Sequence, residues 1–436
     1  MPRRIQDEDN LPARKFLIGF GVLLFLLAVL TFGFKKALDH TGAREWEDTR
    51  AMLIREEVEL DLEKLLPEIP PDAENFAATP MIATLLWNYP EVEEKKMLNE
   101  RFREMRIPRR SSVDLPDQKT GLPEFFSQRE TDFNEIALAL VEAGDIPSSD
   151  STSPAPAIRN WMEQFRPEIE TLDNASLRPL AVWPEPPLFD YFSYNEGLND
   201  YVDDLTVHLK FQAARAAAFL VAGDEEEAIS AVRTMFQICG TLSSQPFIIP
   251  QLASLGCETI IFSLIWEGIE KQRWSADGLD QIAEFLSRYP ADSLERFEKT
   301  MNVSLIVDSI GFPDYMASLS FRERHQNATA VHIMDGSNTL PCLAALAISP
   351  RGFLDHNKSF SCLLHYETAI RPARLRDPHS ARIDLEEALS EISIQNFFPR
   401  LYLNANRGIH ERFFEAVNIQ NMAKAAVAVE RFQKAE

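Results

Sequence analysis

The chain has 436 residues, of which 45% are hydrophobic, and its formal net charge is −23. This hydrophobic content indicates a folded protein with a substantial core. The acidic balance excludes a nucleic-acid partner, because phosphate binding requires a basic face. With 16 glycines and 27 prolines, the composition disfavours a turn-rich β-sandwich and favours helices joined by rigid connectors.

An uncharged apolar run extends from Phe16 to Phe34 and is closed by Lys35 and Lys36. As a helix it would span about 30 Å, the thickness of a bilayer's hydrocarbon core. It is longer than the apolar part of a signal peptide, and no small-residue cleavage site follows it. We therefore predict an N-terminal tail over 1–15 and a retained transmembrane helix over 16–34, whose partner is the lipid bilayer.

The basic residues that flank this run do not decide its orientation. Equal numbers lie before it and within about twenty residues after it, the distance over which such residues act: Arg3, Arg4, Arg14 and Lys15, then Lys35, Lys36, Arg44 and Arg50. Long domains are translocated largely regardless of such charges. We expect a single-pass protein of the cell membrane with its bulk in the periplasm.

Beyond the apolar run, apolar residues recur among dense charges and predict a helical stalk over 35–66. The stretch 67–80 contains four prolines and is predicted to be an extended connector. Asn75 and Phe76 mark the point where we expect this connector to dock on the folded domain. The remainder, 81–436, is predicted to be one α-helical soluble domain.

Residues 88–130 lack a clear period and are predicted to be irregular. They carry a basic patch that would pair with the chain's own carboxylates or with anionic lipid headgroups: Arg101, Arg103, Arg106, Arg109 and Arg110. Helices are predicted over 133–144 and 157–174, on either side of the low-complexity loop 146–156.

The helical signal strengthens from residue 198 onward. Five alanines between 213 and 218 indicate close packing of a helix over 198–221, Gly223 ends it, and Asp224 caps the next helix, which runs to about 242. Further helices are predicted over 249–272, 276–288 (capped by Ser275), 291–310, 349–370, 383–392 and 407–434. The predicted fold class is mainly α, a transmembrane helix followed by a multi-helix domain of α-α hairpins or of solenoid type.

The four cysteines are Cys239, Cys257, Cys342 and Cys362, and none has CxxC or zinc-site spacing. They are predicted to pack as small hydrophobes, with a Cys239–Cys257 or a Cys342–Cys362 disulfide as the alternative in an oxidising compartment.

No phosphate-binding loop and no nucleophile motif is present. His356 and His365 flank Cys362 but would not share one helix face. We predict no metal and no cofactor.

One polar-aromatic strip could line a sugar groove, because aromatic faces stack on sugars and two carboxylates can hydrolyse a glycosidic bond. Its members are Trp183, Asp190, Tyr191, Tyr194, Glu196, Asp200, Asp203 and Asp204. The candidate catalytic residues are Asp190, Glu196 and Asp203. The structural alternative is a proline-rich loop that its aromatic residues hold against the helices.

A second arginine group is either an anion site or a salt-paired surface: Arg371, Arg374, Arg376 and Arg382.

The pair of helices around Gly223 and Asp224, with the sequence EEAISAV after the turn, resembles the helix–turn–helix unit of tetratricopeptide-like repeats over about 40 residues.

Nearly the whole chain is also similar to a set of uncharacterised bacterial single-pass, membrane-anchored helical proteins. The matching stretches are the apolar run, ELDLEKLLPEIPPDAENFAATPM, the hairpin at 210–240, SPRGFLDHNKSF and RFFEAVNIQNMAKAAVAVERFQKAE. This resemblance implies no known reaction and no catalytic residue.

Three functions are compatible with these observations. The leading hypothesis is a membrane-anchored, non-enzymatic scaffold or protein-interaction domain of the cell envelope that binds a protein or peptide. The first alternative is a glycan-active helical-toroid enzyme that uses the carboxylates near 190–204. The second is an envelope assembly factor related to secretion systems.

Overall fold

A computed structural model of the chain describes residues 11–85, 93–108, 130–148, 153–183, 191–289, 293–319, 323, 350–375 and 409–435. Its helices are α1 Leu11–Arg55, α2 Leu62–Leu65, α3 Pro80–Ala83, α4 Glu93–Glu104, α5 Phe133–Ala143, α6 Pro154–Met162, α7 Arg166–Ala175, α8 Tyr191–Ala222, α9 Glu225–Ser244, α10 Ile248–Glu270, α11 Ala276–Arg288, α12 Ser293–Ser304, α13 Phe312–Ser318, α14 Arg351–His365, α15 Arg371–Leu375 and α16 Ile409–Ala435. Three 3₁₀ turns cover Asp72–Glu74, Phe76–Ala78 and Glu163–Phe165, and two π-helical turns cover Leu305–Gly311 and Tyr366–Ile370. The fold is mainly α-helical, as predicted.

The chain divides into two compact units. Within the described residues, unit 1 comprises 11–60, 305–319, 323 and 350–368. Unit 2 comprises the described parts of 61–304, together with 369–375 and 409–435.

Unit 1 is built on α1, an unbroken helix of 45 residues and therefore about 68 Å long. The large apolar side chains from Phe20 to Phe34 are 50–68% exposed. Among the described residues, two helices could cross a membrane by length and composition: the Gly19–Arg55 part of α1, and α10, which is largely buried inside unit 2.

The polar half of α1 packs against α14 at very close range. A Cβ built on Gly42 would lie 2.0 Å from the Gly352 carbonyl oxygen, and a Cβ on Gly352 would lie 2.1 Å from the Leu38 carbonyl oxygen. At the same place the Gly352 N–H donates to Asp39 Oδ1 at 2.8 Å. Because this carboxylate meets the positive end of α14, charge and shape favour the same contact.

Three further interactions hold α14 and the turn that follows it within unit 1. The Lys358 ammonium, almost fully buried, bonds Asp314 at 2.8 Å and lies 4.3 Å from the Trp46 ring centroid. The Tyr366 hydroxyl donates to Glu56 at 2.9 Å.

Unit 2 has α8, α9 and α10 at its centre, with α16 packed on α10, α11 and α12. The alanines of α8 from Ala213 to Ala218 are at most 2% exposed, so they permit the predicted close packing. Gly223 has φ +79° and ends α8, and the Asp224 side chain accepts from the Glu227 N–H of α9. Because a positive φ suits glycine, this hairpin turn is encoded locally.

Several other predictions match the structure closely. Helix α11 has the predicted bounds and is capped by Ser275, whose hydroxyl accepts from the Gly278 N–H at 3.0 Å. The connector docks where expected, since Phe76 is fully buried and the Asn75 amide exchanges two hydrogen bonds with Val182. The helix predicted over 383–392 lies outside the described residues.

The irregular structure predicted over 88–130 is wrong for Glu93–Glu104, which forms α4. Leu98, Phe102 and Met105 are spaced by four and three residues and pack into the core of unit 2. The dense charges between them obscured this helical period.

The Cys239–Cys257 disulfide, offered as an alternative, is absent. Cys239, Cys257 and Cys362 are buried free thiols, which agrees with packing as small hydrophobes. Cys342 lies outside the described residues. The predicted domain boundaries are not tested by these observations and stay predictions.

The contact between α1 and α14 leads to a first prediction. Gly42→Ala should destabilise unit 1 by about 1–3 kcal/mol, because the new methyl group overlaps backbone atoms that cannot move aside freely. Gly33→Ala on the same helix is the matched control, since no heavy atom lies within 4 Å of its added Cβ. Amide hydrogen exchange of α14 in the detergent-solubilised chain should accelerate in the first variant alone; equal protection in both variants would contradict the close contact.

Candidate functional site

A cleft of about 760 Å³ opens in the surface of unit 2, within the size range of ligand pockets. It is lined by Pro67, Ser176, Leu177, Arg178, Pro179, Leu180, Ala181, Val182, Arg233, Phe236, Gln237, Gly240, Ser243, Ser244, Pro246, Gln251, Gln281, Glu284, Phe285, Arg288, Tyr289, Glu295, Arg296 and Lys299.

Two helix faces and one extended segment form the walls of the cleft. Helix α9 contributes Arg233, Gln237 and Gly240, and α11 contributes residues from Gln281 to Arg288, in both cases at spacings of three and four. Residues at this spacing share one face of a helix. The start of α12 and residues 176–182 add further walls, and Pro67, Pro246, Gln251 and Tyr289 complete the lining.

Amide side chains fix segment 176–183 to α9. Gln237 Nε2 donates to the carbonyl oxygens of Ser176 at 3.0 Å and Arg178 at 2.6 Å. At the other end, Gln245 Nε2 donates to the Trp183 carbonyl at 2.7 Å, and the Trp183 N–H donates to Ser244 Oγ at 3.1 Å. The segment is therefore held in place although it is not part of a helix.

One edge of this segment is paired and the other is not. The Leu180 N–H donates to the Glu74 carbonyl at 3.1 Å, and the Leu180 carbonyl accepts from the Phe76 N–H at 2.7 Å. In an extended chain the peptide groups of the next residue point to the opposite edge. Those of Ala181, which lines the cleft, have no hydrogen-bond partner among the described residues.

The cleft is basic although the chain is acidic. Its lining includes five basic and two acidic side chains. Arg288 pairs with Glu284, and Arg296 pairs with Glu258 at 2.8 Å. Arg178, Arg233 and Lys299 form no ion pair with a carboxylate in the part of the chain that the structure describes, so they account for the excess positive charge.

Arg233 and Lys299 are partly withdrawn from water. Burial lowers the pKa of the Arg233 guanidinium, and nearby Asp173 opposes this only in part. Burial likewise lowers the pKa of the Lys299 ammonium against the influence of Glu295. Arg233 donates to the Ser176 and Ser230 hydroxyls at 2.9 and 3.1 Å, neutral partners that leave its charge uncompensated.

A hydrogen-bonded network lies beneath the cleft. Glu258 Oε1 accepts from Tyr289 at 3.0 Å, from Ser254 at 3.3 Å and from Arg296 at 2.8 Å. Cys239 Sγ contacts the Tyr289 hydroxyl at 2.8 Å. Burial raises the pKa of this thiol well above its ordinary value, so it is not a thiolate nucleophile at neutral pH. The network fixes Tyr289 and Arg296 at the floor.

The structure does not bring the three candidate catalytic residues into one described site. Asp190 lies outside the described residues, and Glu196 lies on α8 with a side chain that is not described. Asp203 is exposed on the same helix. Trp183 is buried in the core and stacks on Tyr201 with ring centroids 4.8 Å apart, so this ring is not available to stack on a sugar.

Two described members of the basic patch pair with the chain's own carboxylates, and a third, Arg106, is exposed. Arg101 bonds Glu168 at 2.8 Å, and Arg103 lies 3.6 Å from Asp204. Arg109 and Arg110 lie outside the described residues.

In the second arginine group, Arg374 pairs with Glu298 at 2.6 Å, as a salt-paired surface requires. Arg376 and Arg382 are outside the described residues.

The two histidines near Cys362 have separate environments. His356 Nδ1 lies 2.5 Å from Glu45 Oε2, whereas burial lowers the pKa of His365 to about 4. Across the described ranges, no group of three or more His, Cys, Asp or Glu residues could hold a metal ion.

A second buried polar cluster joins α7, α8 and α9. The guanidinium of the fully buried Arg215 donates to both carboxylate oxygens of Asp173, at 2.8 and 2.6 Å. It also donates to one carboxylate oxygen of Glu227. His208, about two helical turns before Arg215 on α8, is also fully buried. Burial and the Arg215 charge lower the pKa of His208 to about 3.

His208 makes the stability of unit 2 depend on pH. Its folded pKa of about 3 lies below the unfolded value of 6.5, so the unfolded chain binds the proton more tightly. Stability is then complete above about pH 6.5 and falls as the pH decreases toward 3. At pH 5 the loss should be about 2 kcal/mol. In His208→Gln, thermal unfolding between pH 7 and pH 5 should show a smaller decrease than in the parent chain; equal decreases would contradict a buried neutral imidazole.

Comparisons of this chain with protein-family models, with curated proteins and with solved structures found no match, so the geometry of unit 1 and unit 2 is what supports a function.

Proposed function

We propose that this protein is a membrane-anchored, non-enzymatic α-helical binding protein. Helix α1 would tether it to the bilayer, and the cleft of unit 2 would receive a segment of a protein partner. The observation that carries this proposal is the cleft itself: it has ligand-pocket dimensions, fixed walls and a charge opposite to that of the chain.

Two features of α1 support the anchor. Its apolar side chains from Phe20 to Phe34 are exposed, and they belong to the run 16–34, whose helical length of about 30 Å matches a hydrocarbon core. Exposed apolar surface of this extent is costly in water and is favourable in lipid. With the bulk in the periplasm, the partner would belong to the cell envelope.

The nature of the cleft supports binding rather than covalent chemistry. Cys239, which lies beneath the cleft, is held as a thiol by burial and is not a nucleophile at neutral pH. The basic side chains of the cleft and its unpaired backbone edge are groups that hold a ligand in place.

The anchor can be tested by placing charge in the apolar run. Leu23→Arg combined with Leu26→Arg should release the chain from the membrane, because each arginine costs about 3 kcal/mol at the centre of a spanning helix. Leu375→Arg, at a leucine of unit 2 that is 65% exposed, is the control and should stay bound. The measurement is resistance to alkaline carbonate extraction; a double variant that stays in the membrane pellet would refute the anchor.

The cleft can be tested in intact cells by site-specific photo-crosslinking of the full chain. A photoreactive amino acid at Gln281, which is exposed and lines the cleft, should form a discrete adduct with an envelope protein. The same amino acid at Ser287, exposed on α11 outside the cleft lining, should not. Equal labelling from both positions, or from neither, would count against a binding cleft.

A further inference from the structure

We infer that the unit-2 cleft binds an extended, acidic peptide segment, whose backbone pairs with Ala181 and whose carboxylates meet Arg233 and Lys299. This inference rests on the proposed function and adds the chemistry of the partner to it.

One backbone edge of segment 176–183 can accept an added peptide strand. Leu180 uses both of its peptide groups on the 74–76 side, and Val182 uses both of its own on the Asn75 side chain. Among the described residues, the N–H and C=O of Ala181 have no partner, and they lie between two residues that are fixed. An added extended peptide can exchange two hydrogen bonds with such a residue, as in recognition by strand addition.

Three cations of the lining have no carboxylate partner among the described residues. Arg178, which also donates to the Asn75 carbonyl at 2.9 Å, belongs to the segment 176–183. Arg233 belongs to α9 and Lys299 to α12, so the three cations lie in three different walls of one cleft. An extended peptide places successive side chains on opposite faces and can present carboxylates to more than one wall. A single small anion would meet these separate cations less completely.

Two aromatic rings also belong to the lining of the cleft. Phe236 and Phe285 both line the cleft, with ring centroids 5.9 Å apart. They offer an apolar surface to the residues that alternate with the acidic ones. The preferred ligand is then an extended peptide in which acidic and apolar residues alternate. The volume of the cleft, about 760 Å³, accommodates a short peptide of this kind.

The test uses the full chain in nanodiscs of neutral phosphatidylcholine and a fluorescent peptide of alternating valine and glutamate, six residues long. We expect saturable binding that weakens with salt, since exposed charge pairs are screened. The same peptide with lysine in place of glutamate should not bind. A version N-methylated on alternate residues should bind more weakly, because it cannot complete the backbone pairing.

The variants Arg233→Gln and Lys299→Gln should each weaken binding about tenfold, the loss expected for one charge-assisted hydrogen bond. Arg412→Gln is the matched control, because Arg412 is exposed on α16 and does not line the cleft. All three variants should unfold at the temperature of the parent chain, which separates a lost contact from a lost fold.

Three results would overturn the inference. Binding that is unaffected by both cleft variants would place the peptide elsewhere. Displacement of the peptide by inorganic phosphate at equal concentration would indicate a simple anion site, and displacement by phosphatidylserine vesicles would indicate a lipid surface. If the Gln281 position crosslinks a protein while the peptide fails to bind, the peptide chemistry is wrong and the proposed function stands; failure of both removes the function as well.

Discussion

The structure of unit 2 depends on the burial of one positive charge. The Arg215 guanidinium has no exposure to water and is held between Asp173 on α7 and Glu227 in the first turn of α9. Withdrawing such a group from water costs several kcal/mol, and the cost is recovered only when the partner carboxylates are placed accurately. Asp173 also accepts from the Thr234 hydroxyl at 3.1 Å. Three helices are therefore constrained by a single side chain.

The pairing of Arg215 with Asp173 and Glu227 also positions the walls of the cleft. Segment 176–183 leaves the end of α7 just after Asp173, and the side chains of Gln237 and Gln245 then fix it to α9. Amide side chains can donate and accept at once, so they can hold a non-helical backbone without closing its outer edge. A wall made in this way keeps peptide groups available to a ligand, which a helix cannot do.

Sequence reasoning succeeded where the determinants are local. The turn at Gly223 and the start of α11 at Ser275 follow from residues within one helical turn of each boundary. It failed at α4, where charges conceal a short apolar face. Trp183 was chosen as a ligand-facing aromatic residue, but its environment is set by Tyr201 and Gln245, which only the folded chain brings to it.

The cleft itself could not be predicted, because its walls come from separate parts of the chain. Arg233 and Lys299 are 66 positions apart in the numbering, and neither carries a motif. The spacing of polar residues on α9 and α11 was a usable signal for a shared face, but nothing in the sequence shows that these two faces meet across segment 176–183. Likewise, nothing in the sequence around Gly42 or Gly352 indicates that helices α1 and α14 pack closely at these two residues.

The unbroken length of α1 has a mechanical consequence. Its hydrogen-bond ladder runs from the apolar segment past Gly42 to Arg55 without a proline or a π-helical turn, and such interruptions are the usual sites of helix bending. No joint separates the apolar end from the part that packs on α14. Helix α1 therefore behaves as a rigid rod. A change in the tilt of its apolar end, which we propose is held in the bilayer, would be transmitted to the contact between Gly42 and Gly352, which must then either turn with it or open.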